Sequence, residues 1–400
     1  MSSISRRAVE MPASPIRRLA PYADSAKERG IHIYHLNIGQ PDIPTPKEVF
    51  EAISSHSETV LSYGPSLGLQ ELRHAVCEYL RDFGITVELQ DVMITTGGSE
   101  AILFAMLAVT DHGDEILVPE PFYTNYNGYA AMAGVKLVSL LTYAEEGFRP
   151  PSTESILEKI SPRTKAILLC TPNNPTGVIF TREELTRIAQ IATEHDLFIL
   201  SDEVYREFTF DGKVHTSILQ LKGIEERSIM LDSISKRFSA CGARVGYLVS
   251  RNRDVMDAAL RFGQARLCPP TLEQIGAIAA FRCFHKYIPS LVREYETRRN
   301  AVYQEILKIP GVVCRKPEGA FYTVVKFPIS DSEDFAKFML TDFSQDGKTT
   351  MIAPASGFYA SPQQGMDEAR VAYVLDKDSL RDAMRILRKG LDTYRSRTTS

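Results

Sequence analysis

The residues best suited to do chemistry stand in four short segments, and the first of these contains Lys236. Segment 233–237 (Ser-Ile-Ser-Lys-Arg) follows an apolar run, and Arg244 comes eight residues after the lysine. Because nearby cations favour the neutral form of an amine, a lysine in this setting is suited to form a Schiff base. Ser233 and Arg244 could bind a phosphate, the arginine through two parallel N–H bonds. Taken alone, the segment could also be a solvated basic loop.

Two further segments supply an acid and an amide. Asp202 follows the apolar run 197–200, where a strand would end, and Tyr205 comes three residues later. A carboxylate in that position can hold a protonated pyridine nitrogen as an ion pair. Asn174 lies in loop 171–177 (Thr-Pro-Asn-Asn-Pro-Thr-Gly), whose prolines and glycine set its direction, so that it could donate to a ring oxygen. Singly, the acid could cap a helix and the amide could belong to a simple turn.

The fourth segment, 97–100 (Gly-Gly-Ser-Glu), opens an apolar helix directly after the run 92–95. The N-terminus of a helix offers free N–H groups to an anion, small residues allow close approach, and Ser99 adds a hydroxyl. Alone this could be a glycine turn before a helix. Together, the four segments supply an amine, an acid for a pyridinium nitrogen and donors for a ring oxygen. Segment 97–100, Ser233 and Arg244 supply a phosphate-binding site, which we call the phosphate cup. Pyridoxal 5′-phosphate (PLP) requires these groups of a protein.

All four segments follow predicted strands. The run 166–170 reads as a buried strand, a capping box at 181–184 (Thr-Arg-Glu-Glu) begins a helix, and 197–200 reads as the next strand. A strand, helix and strand in this order form a βαβ unit, which implies a parallel sheet covered on both faces. Ligands bind beyond the carboxyl ends of such strands, where the four segments stand.

The pattern changes after about residue 293, where a charged helix leads to glycine-flanked strands and a closing helix. We therefore predict an α/β protein whose large domain, residues 46–292, has a mostly parallel sheet covered by helices. Residues 1–45 and 293–400 are predicted to form a smaller α+β domain. A chain of 400 residues with 44% hydrophobic residues is long enough for two such domains.

The bulk composition excludes several function classes. The formal net charge of -4 leaves no basic footprint for nucleic acid or for an anionic membrane surface, and no apolar run approaches a membrane span. The N-terminus lacks the apolar stretch of a secretory signal, and the six cysteines are scattered without a CxxC pair. We predict a cytoplasmic protein with no metal site and with no nucleic acid or membrane partner.

The order and spacing of these segments resemble the class I/II aminotransferases, PLP-dependent enzymes of fold type I in the aspartate aminotransferase superfamily. The resemblance runs from about residue 14 to residue 391. It includes the segments 36–42 (Leu-Asn-Ile-Gly-Gln-Pro-Asp), 62–65 (Ser-Tyr-Gly-Pro), 68–73 (Gly-Leu-Gln-Glu-Leu-Arg), 317–322 (Pro-Glu-Gly-Ala-Phe-Tyr) and 368–373 (Glu-Ala-Arg-Val-Ala-Tyr). The fold predicted above is also the one that this resemblance implies.

The resemblance implies a role for each matching residue. Lys236 would carry PLP as a Schiff base and shuttle a proton, with Asp202 and Tyr205 as the other catalytic residues. The implied cofactor-binding residues are Tyr63, Gly98, Ser99, Glu100, Tyr123, Asn174, Asp202, Tyr205, Ser233, Ser235, Lys236 and Arg244. The implied substrate-binding residues are Gly39, Asn174 and Arg370, the arginine holding the α-carboxylate. Tyr63 would reach across from a second subunit, which implies a homodimer with shared active sites.

Several readings of the function follow from the resemblance. The leading one is ping-pong transfer of an amino group between an L-amino acid and a 2-oxo acid. A PLP-dependent carbon–sulfur β-lyase, or another lyase or synthase, would share nearly every residue named, whereas a non-catalytic binding protein could dispense with Lys236. Ser99 stands where prokaryotic aspartate-type relatives often have a lysine, which weakens a dicarboxylate-specific reading. Arg266 and the pair Arg17 and Arg18 have no assigned role.

Overall fold

The computed structural model describes residues 4–12 and 17–398. Its strands are β1 (His32–His35), β2 (Val92–Thr95), β3 (Glu115–Glu120), β4 (Lys136–Leu141), β5 (Thr164–Cys170), β6 (Phe198–Asp202), β7 (Ser228–Ser233), β8 (Gly246–Ser250), β9 (Tyr322–Lys326), β10 (Lys348–Met351), β11 (Ala353–Pro354) and β12 (Glu368–Ala372). Its helices are α1 (Arg6–Glu10), α2 (Ala20–Glu28), α3 (Lys47–Ser54), α4 (Gln70–Asp82), α5 (Gly97–Val109), α6 (Asn125–Ala133), α7 (Thr153–Leu157), α8 (Arg182–Glu194), α9 (Ile234–Arg237), α10 (Arg253–Arg266), α11 (Thr271–Arg282), α12 (Phe284–Ile306), α13 (Ser332–Thr341) and α14 (Lys377–Thr398).

Seven strands form the main sheet in the order β2-β8-β7-β6-β5-β3-β4. The pairs among β3, β4, β5, β6 and β7 are parallel, whereas β8 runs antiparallel to both of its neighbours. The central strands are buried along nearly their whole length, as expected of a parallel sheet with helices on both faces. The predicted mostly parallel α/β sheet is therefore confirmed.

The register of the central strands places three site segments side by side. Cys170 at the end of β5 pairs with Asp202 at the end of β6, and Asp202 pairs with Leu231 in β7. The loop that contains Asn174 follows β5, and helix α9 follows β7. Side chains that are far apart in the chain thus meet at the carboxyl edge of one sheet.

The C-terminal part of the chain forms two small sheets. Strands β11, β12 and β9 pair in an antiparallel sheet, and β1 near the N-terminus pairs in parallel with β10. Helix α14 packs on α12 and on β10. The pairing of β1 with β10 links the N-terminal segment to the C-terminal part of the chain.

The boundaries of three elements that position the site can be compared with the sequence prediction. The capping box predicted at the start of α8 is present, because Thr181 and Glu184 exchange side chain to backbone hydrogen bonds. Strand β6 extends beyond the predicted run 197–200 and ends at Asp202, and α5 begins at Gly97, in the segment predicted to open it. No helix among residues 4–12 and 17–398 is long and apolar enough to cross a membrane.

Candidate active site

The carboxyl ends of β5, β6 and β7 open into a cavity of about 650 Å³, a size typical of small-molecule sites. Residues of the small C-terminal sheets and of the N-terminal segment 17–40 close its other side. The predicted site residues that line it are Gly39, Gly98, Ser99, Tyr123, Asn174, Asp202, Tyr205, Ser233, Ser235, Lys236, Arg244 and Arg370. The fold therefore collects groups from both ends and the middle of the sequence around one space.

Lys236 lies on the short helix α9, which begins immediately after β7 with Ser233 as its N-cap. The Lys236 amine donates a hydrogen bond to the carbonyl oxygen of Gly39 at 2.9 Å and lies 3.8 Å from the Cys241 sulfur. Among the described residues, no carboxylate forms an ion pair with this amine. A primary amine held in a cavity by a neutral acceptor is available for covalent chemistry.

Asp202 is 7% exposed, and one of its carboxylate oxygens accepts a hydrogen bond from the Tyr126 hydroxyl at 2.7 Å. Burial is the main cause that raises the pKa of Asp202 to about 6, while the Tyr126 hydroxyl and the Val204 N–H oppose this shift. The negative charges of Asp232 and Glu203 raise the pKa further. No cation of the described part of the chain pairs with this buried carboxylate, and a protonated ring nitrogen could supply one.

The predicted phosphate cup lies at the N-terminus of α5. Gly97 has a φ of +73°, and a Cβ there would lie 2.2 Å from Nη2 of Arg244. Only glycine therefore lets this arginine approach the helix N-terminus so closely. Arg244 itself has a φ of 53° and donates to the Cys241 carbonyl, so the chain turns its guanidinium toward the cavity. The N-terminus of α5, Arg244 and the side chains of Ser99 and Ser233 line the same part of the chain's cavity and are a candidate anion site.

Arg370 also lines the cavity and is 2% exposed. Its Nη1 donates to the side chain of Asn174 at 3.0 Å and its Nη2 donates to the backbone carbonyl of Asn37 at 2.6 Å. Its Nε is buried without a hydrogen-bond partner among the described residues, and burial lowers the pKa of Arg370. The guanidinium stacks over the rings of Tyr322 and Phe358, at 4.5 and 4.9 Å. A buried cation with an unpaired donor is suited to bind a carboxylate.

Two tyrosines predicted to contact the cofactor have hydroxyls fixed by neighbours. The Tyr205 hydroxyl lies 3.0 Å from the Tyr322 hydroxyl, and the Tyr123 hydroxyl accepts from the side-chain amide of Asn125 at 2.8 Å. The Tyr123 ring meets the Tyr126 ring edge to face. Burial raises the pKa of both Tyr205 and Tyr123, so both stay neutral donors at physiological pH.

Two predicted cofactor-binding residues do not line this cavity. The Glu100 carboxylate accepts from the backbone N–H of Thr96 and lies 3.4 Å from Arg266, so these two partners hold it at the start of α5. This pairing also accounts for Arg266, which lies outside the cavity and neutralises Glu100. Tyr63 is 81% exposed and does not reach the cavity of its own chain.

The two N-terminal arginines separate in the structure. Arg17 lines the mouth of the cavity, whereas Arg18 forms an ion pair with Glu333 at 3.2 Å. Asp24 and Lys27 of α2 also line the mouth and pair with each other at 3.2 Å.

Several residues of the site were missed by the sequence reasoning. Tyr126 and Tyr129, one helical turn apart on α6, bind Asp202 and Ser99 respectively. Tyr322 ends the segment 317–322, which carried the family resemblance but received no role. Asn37 contributes only its backbone carbonyl to Arg370, so no side-chain signal could have revealed it.

The donor set fits PLP. One cavity is lined by an amine, by a buried carboxylate that matches a pyridinium nitrogen, and by a helix N-terminus with Ser99 and Arg244 that matches a phosphate. Arg244 occupies the space that a Cβ at Gly97 would fill.

Comparison with known proteins places the chain in a family. The family described as aminotransferase class I and II matches residues 31–346. Aspartate aminotransferase of Bacillus subtilis is 31% identical over 98% of this chain and 99% of its own. Aromatic-amino-acid aminotransferase 2 of Thermococcus litoralis is 34% identical over 97% of this chain and 98% of its own.

Solved structures agree with the sequence comparison. Alanine aminotransferase from Pyrococcus furiosus has a TM-score of 0.88 at 31% identity and covers 98% of this chain and 100% of its own. Aspartate aminotransferase from Thermotoga maritima has a TM-score of 0.89 at 28% identity, with 97% and 100% covered. The family is known to use PLP, which matches the cavity chemistry described above. The chain therefore belongs to the class I and II aminotransferases and is an aminotransferase of fold type I.

Proposed function

We propose that this aminotransferase uses PLP to move an amino group between an L-amino acid and a 2-oxo acid by a ping-pong route. One observation carries the proposal: Lys236, Asp202 and Arg370 line the same cavity. They supply an amine for the cofactor, an acid for its ring nitrogen and a cation for a substrate carboxylate.

The residues around the cavity would hold PLP at three points. Lys236 would bind the aldehyde carbon, Asp202 the ring nitrogen, and the α5 N-terminus with Arg244 the phosphate. Asn174 and Tyr205 would donate to the ring oxygen, and Tyr123 would lie against the ring. When bound, PLP acts as an electron sink that makes the Cα proton of an amino acid acidic.

The chain itself would bind the substrate and move the proton. Arg370 would exchange its present partners, the Asn174 side chain and the Asn37 carbonyl, for the two oxygens of an α-carboxylate. Its unpaired Nε adds a further donor, and Gly39 would contribute its backbone N–H. The Lys236 amine, once released from the cofactor, would act as the base that carries the proton from the substrate Cα.

We further propose a homodimer in which Tyr63 completes the phosphate site of the partner subunit. Its high exposure, together with that of Val60 and Leu61, leaves an apolar stretch on the surface of one chain. Gly64 in the same stretch packs beside Cys268 and Thr271, so this surface includes the loop between α10 and α11.

We propose the same domain division as the sequence suggested, 46–292 and 1–45 with 293–400. The main sheet uses residues 92–250, and β1 pairs with β10, which supports the assignment of both chain ends to one domain. The boundary at 292 falls within α12, so this long helix would connect the two domains. A cytoplasmic location is proposed as well, since the buried Cys77 and Cys170 are free thiols.

A visible absorption spectrum of the purified protein tests the proposal. We expect a yellow band after PLP is added, which is bleached by an amino acid and restored by 2-oxoglutarate. Aspartate, alanine and an aromatic amino acid, the substrates in the names of the similar proteins, form the first panel. Absence of the band, or full transamination activity in Lys236→Ala, would refute the role of the lysine. Release of pyruvate and ammonia from cystathionine without an oxo acid would instead indicate a β-lyase.

A further inference from the structure

Tyr129, which lies outside the four sequence segments, is hydrogen-bonded to Ser99 of the predicted phosphate cup. The Tyr129 hydroxyl donates a hydrogen bond to the Ser99 hydroxyl oxygen at 2.8 Å, and both residues line the cavity. Tyr129 is 7% exposed and lies on α6, which packs against α5, the helix that begins with the glycines of the cup. The contact therefore joins the two helices at the anion site.

The hydroxyl protons of the cup are not equally available to a phosphate. Ser233 donates its only proton to the Val245 carbonyl at 2.8 Å. The Ser233 and Ser235 oxygens lie 2.8 Å apart, so Ser235 is the donor in that pair and its proton is also committed. The Ser99 hydroxyl accepts from Tyr129, and its own proton is not donated to any group in the described part of the chain. Its proton is the one left for a ligand.

An accepted hydrogen bond also constrains the Ser99 hydroxyl. A serine oxygen has one proton and two lone pairs, and the Tyr129 proton occupies one of the lone pairs. The Ser99 proton must then point away from Tyr129, and the donated bond polarises it, because hydrogen bonds in a chain strengthen one another. A phosphate oxygen can only accept, so it matches a hydroxyl prepared in this way.

We propose that Tyr129 is a positioning residue for the cofactor phosphate, which acts by holding the Ser99 hydroxyl as a donor toward the cavity. This inference rests on the proposed PLP function. It assigns the hydroxyl contribution of the cup mainly to a Tyr129–Ser99 pair rather than to Ser233.

The test compares PLP with pyridoxal, which lacks the phosphate but can form the same bond with Lys236. Apoenzyme is titrated with each ligand, and the dissociation constants are read from the visible band. A typical hydrogen bond contributes about 0.5–1.5 kcal/mol, so Tyr129→Phe should weaken PLP binding about threefold to tenfold and leave pyridoxal binding unchanged. Ser99→Ala should weaken PLP binding at least as much. The double variant should be no weaker than Ser99→Ala, because Tyr129 acts only through Ser99.

Tyr295→Phe is the matched control, since the Tyr295 hydroxyl is buried without a partner in the described residues and does not line the cavity. It should leave the ratio of the two dissociation constants unchanged. If Tyr129→Phe leaves the ratio of the two dissociation constants unchanged, whether both stay the same or both rise equally, the positioning role is overturned while the PLP function stands. Additive losses in the double variant would show that Tyr129 acts apart from Ser99 and would also overturn it. If the wild-type protein binds neither ligand, the proposed function itself fails.

Discussion

The ionised Asp202 carboxylate is expected to lower the free energy of unfolding of the protein in the absence of cofactor. The substitution Asp202→Asn removes this charge and should therefore raise the stability of the apoprotein. The carboxylate is buried, and its hydrogen-bond partners are the Tyr126 hydroxyl and the Val204 N–H, with no cation paired to it in residues 4–12 and 17–398. Asparagine has nearly the same shape, and its side-chain oxygen can still accept from Tyr126. The substitution therefore removes the charge while keeping the packing.

The magnitude follows from the pKa of Asp202, which burial raises to about 6 from an ordinary value of 3.8. A shift of about two units corresponds to roughly 3 kcal/mol that the folded apoprotein loses when the group ionises. Because the folded state binds this proton more tightly than the unfolded state, stability falls as pH rises from about 4 to about 6. The full cost is present above pH 6 and absent below pH 4.

The assay is the melting temperature of apo wild type and apo Asp202→Asn between pH 4 and pH 8. For 400 residues the unfolding entropy is about 0.8 kcal/mol per degree, so 3 kcal/mol corresponds to about 3–4 °C. The variant should melt about 3–4 °C higher than wild type at pH 8 and level with it near pH 4. It should also bind PLP about tenfold to a hundredfold more weakly, because it loses a charge-assisted hydrogen bond.

The exposed Asp257 on α10 provides the control, because Asp257→Asn makes the same chemical change at a solvated site. Its melting temperature should follow wild type at every pH. A lower melting temperature for Asp202→Asn at pH 8, or a difference from wild type that does not change with pH, would refute the reasoning. Either result would mean that the buried carboxylate has stabilising partners that the structure does not show.

Three further substitutions test other parts of the site. Gly97→Ala places a Cβ against Arg244 and requires a left-handed φ, so PLP affinity should fall about tenfold by titration; unchanged affinity would contradict the close approach. Arg370→Lys removes the paired N–H donors, and kcat/KM for amino acids should fall about tenfold to a hundredfold in steady-state assays; an unchanged value would refute the carboxylate role. Arg237→Met deprives the fully buried Asp232 of its closest cation and should cost about 3–5 kcal/mol in denaturation experiments. Adding Asp232→Leu should recover part of this loss, and no recovery would argue against the ion pair.

The sequence alone was sufficient for the fold and for most of the cavity, because both depend on local signals that repeat along the chain. Strands β2 and β5 could be predicted from short apolar runs, and α8 from its capping box. Groups that directly follow parallel strands must meet at one edge, so the strand pattern by itself places Asp202 and Asn174 together. The antiparallel direction of β8 was not predicted, since nothing local distinguishes a buried antiparallel strand from a parallel one.

What the sequence could not supply is the set of contacts between neighbouring elements that fix the direction of each functional group. Tyr126 and Tyr129 look like ordinary core tyrosines on α6, and only the packing of α6 against α5 turns one hydroxyl to Asp202 and the other to Ser99. Glu100 is the opposite case. It follows Ser99 in the chain, but its carboxylate pairs with Arg266, which is distant in the sequence, and Glu100 does not line the cavity. A motif therefore identifies which groups can react, whereas the tertiary contacts decide which protons they hold and where those protons point.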